Sequence, residues 1–250
     1  MLRILVGFDD TDTVDCGRGT GKLARWFQAA LPDTCRIAGV VRQQLWVDDS
    51  IPYTSHNSAA CVLVDVPDSS WLDNIVERAA GHLQRHFVAG SDPGLCVAPQ
   101  GNGNMAELMA FGQSCTRYKV TQHAAMQAVN GFHLSGHGGT NDGIIGAAAA
   151  VGLTAAGGCG RFIEYGALRE IPRIVTVEKL QQIGIQVVSV DRDARFPAPQ
   201  DSVDSRNWVR PWLIAHQPVL LVRPAGEGCW EGIYGKRAHG AGAGLTEPAG

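Results

Sequence analysis

The chain has 250 residues, 45% apolar and 18% charged, enough for a buried core and the makeup of a folded protein, which excludes a disordered chain. A formal net charge of -3 gives no general attraction to a polyanion, so nucleic-acid binding through a broad basic surface is not the default. The seven cysteines are scattered without a C-x-x-C pair, which excludes a zinc ribbon or a small disulfide framework and fits a reducing cytoplasm.

Leu2 to Phe8 reads as a short buried strand that meets acids at once, so neither a signal peptide nor a membrane span is expected there. From Gly21, Leu23, Trp26, Phe27 and Ala30 recur at helical spacing until Pro32 stops the run. Strands follow at Cys35 to Val41 and Ala59 to Val66. Leu72, Ile75, Val76, Ala79 and Leu83 mark an amphipathic helix, with Asp68 or Ser69 as its N-cap. Gly90 to Gly94 is turn chemistry, and a helix spans Lys119 to Val129. Gly143 to Ala156 is a helix of small apolar residues that should be buried and closely packed. Beyond Gly157 to Gly160 the texture changes. Arg161 to Tyr165, Gln186 to Val190 and Pro218 to Val222 read as strands, Val177 to Ile183 as a helix, and Ala194 to Ser202 as a loop. Strands and helices alternate without strict β-α units, so the expected class is mixed α/β or α+β with a boundary near Gly157.

The chemistry concentrates in RILVGFDDTDTVDCGRGTGKLARWF, Arg3 to Phe27. Strand, glycine-rich turn, helix is a phosphate-binding order, because the first helical amides are free donors at the positive end of the helix dipole. Gly17, Gly19, Gly21 and Lys22 supply the turn, though the spacing is neither a P-loop nor the dinucleotide fingerprint. Asp9, Asp10 and Asp12 leave the strand end together, and adjacent carboxylates repel unless a cation compensates. Mg²⁺ suits that place, since it binds one or two carboxylates together with substrate phosphates. The plain alternative is a solvated acidic turn. Thr20 either caps the following helix, touches the metal, or accepts a phosphoryl group.

A second glycine-rich turn feeds the helix at Gly143, with Gly139, Thr140, Asn141, Asp142 and Gly143 as candidate nucleotide contacts. The plain alternative there is a flexible turn whose glycines permit close packing.

The segments GFDDTDT…GRGTGKLA, IPYTSHNSAACVLVDV, SDPG, GIIGAAAAVGL and EGIYGKR stand in an order that resembles the N-terminal half of the archaeal agmatinylcytidine synthetases, which modify the anticodon cytidine of an isoleucine tRNA. The resemblance implies a kinase-like nucleotide-binding domain over 1–157 and a smaller ferredoxin-like α+β domain over 158–236; the composition of 237–250 reads separately as a disordered tail. It implies ATP and Mg²⁺ as cofactors, with Thr20 matching the family's phosphorylated threonine. Asp9, Asp10 and Asp12 match its acidic cluster, and Asn57 matches the asparagine of G-N-G-A. The family's C-T-T-Y becomes Gly19-Thr20-Gly21-Lys22 here, and G-N-G-A becomes His56-Asn57-Ser58-Ala59, with Lys22 offered as a replacement phosphate contact. The OB-fold and zinc-ribbon modules that hold tRNA in that family have no counterpart, so tRNA is expected only through a partner protein.

Other signals read more plainly. His82 and His86 share metal-ligand spacing but lack a third ligand, and are taken as helix-surface residues. His133 and His137 are taken as loop residues, and Cys16 as unreactive beside its carboxylates. Trp208, Trp212 and Trp230 are taken as core or interface residues. The expected function is an ATP-Mg²⁺-dependent, kinase-like phosphotransferase acting on an oxygen of a small-molecule acceptor. The alternatives are a non-catalytic nucleotide-binding regulator and a tRNA cytidine-modifying enzyme with a separate tRNA-binding subunit. No membrane partner is expected, and a homo-oligomer is left open.

Overall fold

The computed structural model describes residues 1–54, 56–101 and 105–233. Its first portion contains β1 (Leu2–Asp9), α1 (Thr20–Trp26), β2 (Arg36–Gln44), β3 (Ser58–Val66), α2 (Leu72–His86), β4 (Gly94–Pro99), α3 (Met105–Ser114), α4 (Gln122–Ala128), β5 (His133–Gly136) and α5 (Gly143–Ala156). Then come β6 (Arg161–Glu164), β7 (Ile174–Thr176), α6 (Val177–Gln182), β8 (Gln186–Ser189), β9 (Ser202–Asp204), β10 (Trp212–Ile214), β11 (Gln217–Gly226) and β12 (Cys229–Gly232). The strands form one mixed sheet in the order β5-β4-β1-β3-β2-β6-β10-β11-β12-β9-β7, with β8 beside β11. The fold is mixed α+β, as the pattern predicts.

β3 explains the first portion. Its sequence SAACVLVDV is apolar on both faces, so it can sit only in the middle of a covered sheet. Ala59, Cys61 and Leu63 enter one core with α3 and α5. Ala60, Val62, Val64 and Val66 enter the other, under α1 and α2. Each fully buried Val or Leu contributes about 1.5–3 kcal/mol of transfer free energy. Asp65, the charge on this strand, lies between Arg3 at 2.8 Å and Arg36 at 3.3 Å.

α5 has the bounds expected from the sequence, and its small residues have a specific use. A Cβ on Gly7 would strike the Ala147 carbonyl, and one on Gly94 would strike the Gly143 backbone. Side-chain-free positions therefore let the helix lie directly on β1 and β4, which fixes its first turn beside the end of β1. Gly157 in the left-handed region (φ 67) ends it.

A third cluster joins Leu168, Val177, Leu180, Ile185, Leu220, Val222 and Trp230 around α6. The pairing of β2 with β6 carries the sheet into this portion without a break. The segment 237–250 lies outside the described residues. Among the described residues no helix is long and apolar enough to cross a membrane.

His82 corrects its sequence reading. It is 2% exposed, packed between Phe8 and Phe27, with Nε2 2.9 Å from the Leu23 carbonyl. The amphipathic stripe of α2 is one position wider than the aliphatic residues suggest, and an imidazole with one hydrogen bond fills it. Burial holds its pKa below the ordinary 6.5. A depressed folded pKa means that this stability is full above the unfolded value and is lost as pH falls, because only the unfolded chain binds the proton. Urea titrations from pH 7 to pH 5 should show a steeper loss of stability in wild type than in His82→Gln. Equal slopes would remove His82 from the acid limb.

Candidate functional site

β1 runs between β3 and β4 and delivers its last residue, Asp9, to the edge of α5. There a Cβ at Gly146 would overlap the Asp9 carboxylate, so the helix leaves a gap that this side chain fills. The chain then turns at Asp10 with φ 47, a left-handed conformation that Asp tolerates better than most residues. Thr11 is buried at 2% exposure and aims its amide and its hydroxyl at Thr20 Oγ1, 3.4 and 3.1 Å away. Thr20 in turn donates to Asp12 Oδ1 at 3.4 Å, and Thr54 donates to Asp12 Oδ2 at 3.3 Å. Asp12 thus ties three loop segments together. Thr20 is not the helix cap, which is Gly19 without a side-chain bond.

These residues form one wall of a cavity of about 390 Å³, a volume within the range of small-molecule sites. Tyr53, His56 and Asn57 line it from the segment before β3 and Ser58 from the start of that strand, Tyr118 and Lys119 from the approach to α4 and Gln122 from its first residue. Asp142, Gly143 and Gly146 line it from the start of α5. Asn57 Nδ2 donates to the Trp46 carbonyl at 2.5 Å, Lys119 Nζ to the Ser50 carbonyl at 2.7 Å, and Gln122 Nε2 to Asp142 Oδ1 at 2.6 Å.

The electrostatics are those of a site short of positive charge. Burial, followed by the charges of Asp10 and Asp12, pushes Asp9 up to about 7 against one bond from the Asp10 amide. Burial and the Asp92 charge push Asp10 up to about 6. Among the described residues no group of three or more His, Cys, Asp or Glu side chains forms a metal cage. Cys115 also lines the cavity, but burial pushes its thiol up to about 12, which leaves it unreactive. Cys16 donates its thiol to the Arg18 carbonyl at 3.0 Å.

The sequence-derived candidates divide. Asp9, Asp10, Asp12, Thr20, Asn57, Asp142 and Gly143 meet at the cavity. Gly17, Gly19, Gly21, Lys22, Gly139, Thr140 and Asn141 are not on its wall. Gly21 faces Ile163, and Lys22 Nζ lies 5.3 Å from the Trp26 ring centre. The second glycine turn already holds an anion, the Asp92 carboxylate. It accepts the Thr140 hydroxyl at 2.6 Å and the amides of Thr140, Asn141 and Asp142 at 3.0, 2.8 and 2.9 Å. Burial raises the Asp92 pKa, but these donors outweigh it and hold the group below its ordinary value. Sequence reasoning missed Lys119, Tyr53, Tyr118 and Gln122. The scarcity of lysine was a usable signal for Lys119, whereas nothing local marks the two tyrosines.

No family model matches the sequence, and no curated protein matches it. Solved structures do. A tRNA fluorescent labelling enzyme aligns over 60% of this chain and 36% of its own, with TM-score 0.51 and 24% identity. The complex of TiaS with an isoleucine tRNA and ATP aligns over 61% of this chain and 36% of its own, with TM-score 0.52 and 23% identity. The complex of TiaS with that tRNA, AMPCPP and agmatine covers the same shares, with TM-score 0.50 and 23% identity. About three-fifths of the chain therefore shares a fold with part of TiaS, and the chain spans just over a third of those proteins.

Proposed function

We propose that this chain is an ATP- and magnesium-dependent phosphotransferase that activates an oxygen of a small-molecule acceptor. The observation that carries this reading is the cavity wall on which Asp9, Asp10 and Asp12 meet the Thr20 hydroxyl. Two carboxylates raised to about 7 and about 6 by burial and neighbouring charge form a donor set that a divalent ion would relieve. Mg²⁺ completes its octahedron with phosphate oxygens and water, so one or two carboxylates suffice and a full protein cage is not required. One or two of Asp9, Asp10 and Asp12 would hold the ion, which would there neutralise nucleotide phosphate charge.

The chain's own residues account for the remaining needs. Asp12 Oδ1, 3.4 Å from Thr20 Oγ1, is within reach to take that hydroxyl's proton. Thr11 donates twice to the same oxygen, so one of those bonds must open before Thr20 can attack the γ-phosphorus, breaking its bond to the bridging oxygen and releasing ADP. Lys119 supplies a cation that can leave the Ser50 carbonyl for a phosphate. Leu45, Val120 and Ile145 give the cavity an apolar part suited to a base. The ATP- and AMPCPP-bound structures among the similar folds support a nucleotide ligand.

The test is incubation with Mg-ATP followed by peptide mass spectrometry. Phosphate on the peptide containing Thr20, absent in Thr20→Val, is the expected result. Tight nucleotide binding with neither modification nor turnover over hours would support a regulator instead. A second reading, action on tRNA, is favoured by the likeness to tRNA-bound structures. RNA co-purifying at moderate salt would support it.

A further inference from the structure

On the sheet next to α1, arginines collect without matching acids. Arg42 of β2 and Arg161 of β6 are cross-strand partners, a like-charge pairing that sheets ordinarily avoid. Arg161 stacks on Trp212, its guanidinium carbon 3.7 Å from the ring centre. Arg210 stacks in the same way on Trp208 at 3.9 Å. Arg25 and Arg169 join the group through Glu164, at 4.0 and 2.9 Å. Glu164 is thus the one carboxylate among five guanidiniums, and among the described residues no acid lies within ion-pair distance of Arg42, Arg161 or Arg210. Burial, then the charges of Arg169 and Arg25, pulls Arg210 down to about 10. The tryptophans do not fill a core here. Trp208 is 48% exposed and serves as a platform that holds a guanidinium in place.

A half-buried cluster of like charges is unfavourable unless an anion joins it, and arginine forks suit phosphate oxygens best. We propose that Arg25, Arg42, Arg161, Arg169 and Arg210 form a second anion site that takes a phosphate group of a small molecule. The site adjoins the acidic cavity. Arg42 Nε donates to Ser58 Oγ at 2.9 Å, and Ser58 lines that cavity. α1 carries Thr20 at its cavity end and Arg25 in its last turn. Together with the phosphotransferase reading, on which this identification rests, the ligand is a phosphate-bearing acceptor.

Pyrophosphate is the probe, added to the whole protein in EDTA so that no divalent ion can carry it to the aspartates. Wild type should gain about 5 °C in Tm at a concentration on the order of 100 times Kd. Arg161→Gln and Arg210→Gln should lose the gain while their ligand-free Tm holds or rises, since each variant relieves repulsion. A purely structural arginine would give the opposite, a lower ligand-free Tm. No gain in wild type, an undiminished gain in both variants, or a gain with an oligonucleotide RNA but not with pyrophosphate would each overturn the site. A parallel scan with Mg-ATP separates the two ideas, because its shift depends on the aspartates and should survive in both arginine variants.

Discussion

Asp10→Asn should reduce magnesium-dependent nucleotide turnover by about 100-fold or more, the scale at which a preorganised charge acts in phosphoryl transfer. The same variant should be more stable than wild type without ligand near pH 8. Both follow from one cause. Asp10 and Asp9 have folded pKa values raised to about 6 and about 7. Their contribution to stability is therefore complete below the unfolded carboxylate value and is lost as pH rises through about 6 and then about 7. Asparagine keeps the left-handed turn at φ 47, which it tolerates as well as aspartate does, and removes a charge crowded by Asp9, Asp12 and Asp92. Magnesium should raise the Tm of wild type more at pH 8 than at pH 5.5, since at low pH it must displace protons. Turnover within about 3-fold of wild type in the Asn variant, or a magnesium shift independent of pH, would remove the aspartates from the reaction.

Gly94→Ala should lose about 3 kcal/mol of stability, or roughly 6–12 °C in Tm for a chain of this size. The added methyl would meet the Gly143 backbone, which belongs to the first turn of α5 and has no rotamer to change. The helix would have to lift from β4. Gly146→Ala differs, because its methyl would meet the Asp9 carboxylate, a side chain that can move. That variant should keep most of its stability and lose nucleotide affinity, read as a missing Mg-ATP shift. A melting temperature within about 2 °C of wild type for Gly94→Ala would mean that the seam between helix and sheet is looser than described.

The long apolar runs are readable because an element covered on both faces is apolar at nearly every position, without needing a period. β1, β3 and α5 fall where an unbroken apolar run or uniform smallness puts them. β4 and α3 escape the pattern: β4 is six residues following a turn, and α3 mixes glycine, serine and glutamine with its apolar positions. Short strands such as β7, β9 and β10 carry too few residues to show a period, and pairing alone makes them strands. At the site, the acidic strand end is legible because three adjacent carboxylates are chemically unusual. The second glycine turn reads as free amides, yet the residue that takes them, Asp92, stands 48 to 50 positions away. Tertiary hydrogen bonds of that kind leave no local trace. Trp230 is the core residue expected of it, whereas Trp208 and Trp212 mislead for a related reason, since a ring under a guanidinium and a ring in a core look alike in a sequence.

β1 is hydrogen-bonded to a neighbour on each side, and its far end abuts a helix with no slack. The backbone of Asp9 therefore belongs to the most firmly held strand, and Asp10 and Asp12 follow it in the adjoining turn. The opposite side consists of two loop segments joined by a bond from the Trp46 amide to the Cys115 carbonyl at 2.8 Å and by the Lys119 to Ser50 contact. Any widening of the entrance must come from that side. Entry and escape of a nucleotide are then governed largely by backbone atoms that take no part in the reaction, those of Trp46, Ser50 and Cys115.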